Sequence, residues 1–115
     1  MRKDDLIRLR HMLDAARNAM TFAEGKRRTD LDQDRMLMFS LVRAVEVIGE
    51  AASKVSRNCR DHFSEIPWSG IIGMRHRLIH GYDDIDLDIL WETITVGLPP
   101  LVRTLNRIIA SESAE

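Results

Sequence analysis

The chain has one cysteine, few aromatic residues and little lysine, and each shortage excludes something. Cys59 alone cannot form an intramolecular disulfide or a cysteine metal cluster within one chain. Aromatics make up 5% of the residues, so the core must come from the abundant Leu, Ile, Met, Val and Ala. Lysine occurs only at Lys3, Lys26 and Lys54, and the rest of the 17 cations are arginines. Arginine forks match phosphate and carboxylate, but they also serve helix surfaces and interfaces. No apolar run approaches transmembrane length, and Met1–Asp5 leads into a charged amphipathic stretch without the apolar region of a signal peptide. The expected setting is a reducing cytoplasm, with no membrane. A net charge of -1 excludes coating nucleic acid by overall positive charge and leaves room for a local basic site.

What is present is helical spacing. With 115 residues, 44% hydrophobic and 30% charged, the chain suits a single soluble core. From about Asp4 to Glu24, apolar residues at Leu6, Ile7, Leu9, Leu13, Ala16, Met20 and Ala23 recur mostly at threes and fours. Gly25 suits a helix stop, and Lys26-Arg27-Arg28 a solvated loop at the negative end of the helix dipole. A second helix, capped by Thr29 or Asp30, is expected to run to about Arg57 with Met38, Leu41, Val42, Val45, Ile48 and Ala52 facing inward. Glu46 and Glu50 share one of its sides, and Gly49 permits close approach of a neighbour. After a linker over 58–64, Pro67 suits the first turn of a third helix, Trp68 its core anchor, and Gly81 its end.

Asp83, Asp84 and Asp86 form a turn that can cap a fourth helix, whose stripe is Leu87, Leu90, Trp91, Ile94 and Leu98. Pro99-Pro100 requires a kink or restart before Leu101, Val102, Leu105, Ile108 and Ile109. No internal repeat and no alternating strand pattern is visible. The expected fold is all-α, an antiparallel bundle of four to five helices over residues 1–110, with 111–115 a frayed tail.

Chemistry concentrates in Arg75-His76-Arg77-Leu78-Ile79-His80-Gly81-Tyr82, which holds the chain's one tyrosine. On a continuous helix Arg75 and His80 would be about 140° apart, so they converge only through a loosened turn or a second chain. His76 and His80, four apart, invite a metal with Asp83, Asp84 or Asp86 as third ligand, but Arg75 and Arg77 repel a dication and nothing resembles His-Glu-x-x-His. Metal-free cleavage of RNA fits the residue types better. There the 2′-hydroxyl attacks phosphorus, a histidine moves protons, and an arginine holds the added charge. A purely structural helix end, its dipole matched by His and Arg, accounts for the same residues.

The stretch from Ile72 to Tyr82 resembles the HepT toxins of the HepT–MntA toxin–antitoxin systems, in the HEPN superfamily. The family signature is Arg, four residues, His, one residue, Tyr, met here by Arg75, His80 and Tyr82 without insertion, with His76 at the polar position after the arginine. Ala44–Ala52, Ile66-Pro67-Trp68, Asp86-Leu87, Leu90-Trp91 and Leu98-Pro99-Pro100-Leu101 also resemble that family, so the likeness spans about residues 35 to 105. It implies a HEPN-like fold and a metal-independent endoribonuclease, working as a homodimer with its site at the subunit cleft. Arg75 would bind the scissile phosphate and His80 would act as general acid or base. Tyr82 would be the residue that an MntA-like nucleotidyltransferase modifies with AMP, using ATP and Mg; cleavage itself would need no cofactor. Glu46 or Glu50 would either orient an arginine or histidine of the site or serve only as a solvated structural pair. The competing expectation is a non-catalytic helical module that binds a nucleotide or docks the nucleotidyltransferase.

Overall fold

The structure is a computed structural model, and it describes residues 1–113. Three long helices make the body: α1 (Lys3–Ala23), α2 (Arg35–Ser53) and α7 (Leu98–Ser113). Four short helices lie between α2 and α7: α3 (Arg57–His62), α4 (Trp68–Ile72), α5 (Met74–Leu78) and α6 (Leu87–Glu92). A two-stranded antiparallel hairpin, β1 (Ile79–Gly81) and β2 (Asp84–Ile85), separates α5 from α6. The all-α class therefore holds, with more helical pieces than the four to five expected and with two short strands that the spacing did not reveal.

Helix α1 packs along α2 and also against α7. Its alanines at 15, 16, 19 and 23 are buried and let the neighbours approach closely, while Leu9 and Met12 fill the interface. Facing them are Leu41, Val45, Ile48 and Ala52 of α2 and Leu98, Leu101, Leu105 and Ile108 of α7, all buried. Trp68 is the one aromatic in this core, and its indole N–H donates to the Phe63 carbonyl at 3.1 Å. An aliphatic core with one aromatic anchor is what the composition requires.

Several boundaries differ from their sequence expectation for local reasons. Helix α1 stops at Gly25 as expected, since φ there is +74°, which a glycine adopts without steric cost. Thr29 and Asp30 do not cap α2. They lie in a 3₁₀ turn (Arg28–Asp32), in which the Asp30 carboxylate accepts from the Arg27 N–H at 2.7 Å. Asp34 caps α2 instead, accepting from the Leu37 N–H at 3.0 Å.

Helix α2 ends at Ser53, short of Arg57, and the expected linker over 58–64 contains α3. Two acceptors in series cause this. Ser56 Oγ accepts from the Cys59 N–H at 3.2 Å, and the buried Asp5 carboxylate accepts from Ser56 Oγ at 2.7 Å and from its N–H at 2.8 Å. The first turn of α1 thus holds the start of α3.

Asp86 caps α6 as expected, accepting from the Ile89 N–H at 3.0 Å. At the proline pair the irregularity is a change of helix type and not a restart: α6, a π-helical turn over Thr93–Gly97 and α7 follow one another without a gap, and the π turn comes directly before Pro99 and Pro100 in the first turn of α7. Helix α7 continues through Ser113; residues 114–115, the end of the expected tail, lie outside the described residues. Among the described residues no helix is long and apolar enough to cross a membrane.

Candidate active site

The segment expected to be one helix from Pro67 to Gly81 is three elements. Helix α4 ends at Ile72, Gly73 makes the joint, and α5 ends at Leu78. A Cβ on Gly73 would sit 3.1 Å from the Ser69 carbonyl oxygen, so the joint is tight as well as short. Arg77 holds the two helices together by donating to the Gly70 carbonyl at 2.8 Å. Gly49 does the corresponding job beneath them, because a Cβ there would lie 3.3 Å from the Ile71 carbonyl oxygen. The α4–α5 pair thus sits directly on the middle of α2.

That seating brings Arg75 to Glu46. The arginine Nε donates to Glu46 Oε2 at 3.3 Å, with the carboxylate half-buried and the guanidinium largely exposed. Of the two α2 acids, only Glu46 joins the motif. Glu50 pairs with Lys54 one turn along its own helix, at 3.3 Å. Arg75 is held at one nitrogen, and the rest of its fork faces solvent, where a phosphate can reach it.

From Ile79 onward the chain is extended, which changes the geometry expected of a helix. Ile79 turns toward the core, while His80 is exposed on β1. Tyr82 stands at the hairpin tip, 97% exposed. The helical offset of about 140° between Arg75 and His80 therefore does not apply, because the turn loosens at Leu78. The helical i, i+4 placing of His76 with His80 is lost for the same reason. His76 is exposed on α5. Asp86 is committed to its cap, and among the described residues no group of three His, Cys, Asp or Glu side chains is placed to hold a metal ion.

The site is thus a guanidinium braced by a carboxylate, followed by a hairpin that presents an imidazole and a phenol to solvent. Such an arrangement can bind a phosphodiester, bring an imidazole to it, and offer a hydroxyl to a modifying enzyme. Arg77, the tie between α4 and α5, is a site residue that helical spacing does not single out. Its only signal in the chain is a cation among the last residues of an expected helix.

Comparison with known proteins bears on this geometry. A family model described as Ribonuclease HepT-like matches residues 12–108. A protein of Caldanaerobacter subterraneus subsp. tengcongensis, provisionally named an RNase, is 34% identical over 104 residues, covering 90% of this chain and 93% of its own length. A Methanocaldococcus jannaschii protein, also provisionally named an RNase, is 29% identical over 90 residues, covering 78% of this chain and 83% of its own. A Thermococcus cleftensis protein, provisionally named ribonuclease HepT, is 37% identical over 68 residues, covering 59% of this chain and 62% of its own. No solved structure matches. The chain belongs to the HepT-like ribonuclease family of the HEPN superfamily.

Proposed function

We propose that this chain is the toxin of a toxin–antitoxin pair, a metal-independent endoribonuclease that uses Arg75 and His80 and is silenced at Tyr82. The observation that carries the reading is the placement of Arg75 against Glu46 immediately before a hairpin that exposes His80 and Tyr82. RNA supplies its own nucleophile, so the protein need only bind the phosphate and move protons. The 2′-oxygen bonds to phosphorus as the bond to the 5′-oxygen breaks, leaving a 2′,3′-cyclic phosphate and a free 5′-hydroxyl. Arg75 holds the charge that builds on the non-bridging oxygens, and His80 transfers one of the two protons. Glu46 fixes Arg75 without neutralising its outward face. A homodimer would bring two such motifs to one cleft and supply the second proton-transfer group.

Control follows from exposure. An MntA-like nucleotidyltransferase, using ATP and Mg, would reach the Tyr82 hydroxyl without unfolding anything. The phenol oxygen attacks the α-phosphorus of ATP and pyrophosphate leaves. The added AMP carries negative charge into the field of Arg75 and Arg77 and so repels RNA. Incubation with the cognate nucleotidyltransferase and ATP should add mass in steps of about 329 Da and abolish RNA cleavage. Tyr82→Phe should gain no mass and stay active. A Tyr82→Phe protein that is modified and silenced as readily as the wild type would remove Tyr82 from the scheme.

A further inference from the structure

Helix α2 carries an outward stripe that the site so far leaves unused. At about 100° per residue, Arg35, Met36, Phe39, Arg43, Glu46 and Glu50 fall within about 100° of one another around the helix. Met36 is 81% and Phe39 53% exposed, and the Arg35 guanidinium lies 5.2 Å from the Phe39 ring centre. Both carboxylates of the stripe are engaged, Glu46 by Arg75 and Glu50 by Lys54. Arg35 and Arg43 form no ion pair with any of the described residues. An exposed aromatic ring therefore sits between two unneutralised guanidinium groups. It lies seven residues, about 10 Å along the axis, before the acid that braces Arg75.

We infer that this stripe is a track for single-stranded RNA, on which Phe39 stacks against a base near the scissile phosphate while Arg35 and Arg43 face the backbone. The inference rests on the ribonuclease reading above and adds to it the contact that holds the substrate. Every base has a π-face, so an exposed ring flanked by cations binds single strands with little sequence preference. Arg35, already against the ring, can reinforce the stack. A second copy of the chain is a poorer occupant. The same stripe on a second copy would set unpaired guanidinium groups against Arg35 and Arg43, and facing like charges are unfavourable.

The test uses the intact chain with two single-stranded RNAs of one sequence. One is unmodified, for turnover, and the other carries 2′-O-methyl groups that remove the attacking hydroxyl, for binding. Phe39→Ala should raise Kd and KM by roughly 5- to 100-fold, the effect falling on KM and not kcat. Phe39→Trp should restore both. Phe39→Leu, apolar but unable to stack, should remain weak. Equal binding by all four proteins, or full rescue by leucine, overturns the stacking role. A fall in particle mass of the RNA-free Phe39→Ala protein assigns the stripe to a second copy instead and overturns it too. A wild-type chain that neither binds nor cleaves RNA overturns the ribonuclease reading itself, whereas cleavage indifferent to Phe39 overturns this inference alone.

Discussion

Arg75 Nε donates to Glu46 Oε2 across 3.3 Å, and this contact ties Arg75 of α5, the arginine proposed to hold the phosphate, to the middle of α2. As an exposed ion pair it contributes only about 0–1 kcal/mol to stability. Its value is in position. Glu46→Gln should leave the melting temperature nearly unchanged while lowering cleavage by roughly 10- to 100-fold, as expected when a substrate-holding group is misplaced. Glu50→Gln should cleave normally, because Glu50 pairs with Lys54. Steady-state kinetics beside thermal melts separates these outcomes; equal losses in both variants would contradict the assignment.

Gly49 is the second support of the site. A side chain there meets the Ile71 carbonyl at 3.3 Å and the Ile72 carbonyl at 3.9 Å, both backbone groups of α4 that cannot swing aside. Gly49→Leu should destabilise the fold by about 1–3 kcal/mol through overpacking and displace the helix pair that carries Arg75. Denaturant melts and cleavage assays should therefore fall together. Unchanged stability would show that α4 is free to move.

Asp5 tests the frame without touching the motif. Its buried carboxylate accepts from both the Ser56 N–H and the Ser56 hydroxyl, so Asp5→Ala leaves two donors unmet and should cost about 1–3 kcal/mol. Below the new melting temperature, cleavage should proceed at the wild-type rate. Lost activity in a folded Asp5→Ala protein would indicate that α1 reaches the site.

Cys59 gives a pH dependence of known sign. Burial first, and the Asp5 carboxylate second, push its thiol up from the ordinary 9.0 to about 11. The folded state therefore holds the proton more tightly than the unfolded chain. That contribution is complete below pH 9.0 and is lost as pH rises toward about 11. Denaturation midpoints should fall across that window, and less so in Cys59→Ala. At about pH 8, below the ordinary thiol range, the native thiol should resist iodoacetamide while the unfolded thiol reacts.

Much of this was legible in the chain. The apolar spacing of α1, α2 and α7, the stop at Gly25 and the cap at Asp86 all follow from local rules. The motif at 75–82 was legible as chemistry, whereas its shape was not. Three residues of β1 and two of β2 are too few to show a period of two, and Ile79 fits a helical stripe as well as an inward strand position. The burial of Asp5 was hidden because its partner, Ser56, lies 51 residues away. The choice of Glu46 over Glu50 was likewise undecided by spacing, since both share one face of α2; the seating of α4 on Gly49 decides it.

The central claim is that Arg75 and His80 together cleave RNA without a metal. The direct measurement is cleavage of a single-stranded RNA in EDTA by the purified wild-type chain, Arg75→Ala and His80→Ala, with circular dichroism confirming that all three are folded. Cleavage by the wild type alone, leaving 2′,3′-cyclic phosphate ends, is the predicted result. Equal cleavage by a folded Arg75→Ala or His80→Ala protein, or wild-type cleavage abolished by EDTA, would contradict it.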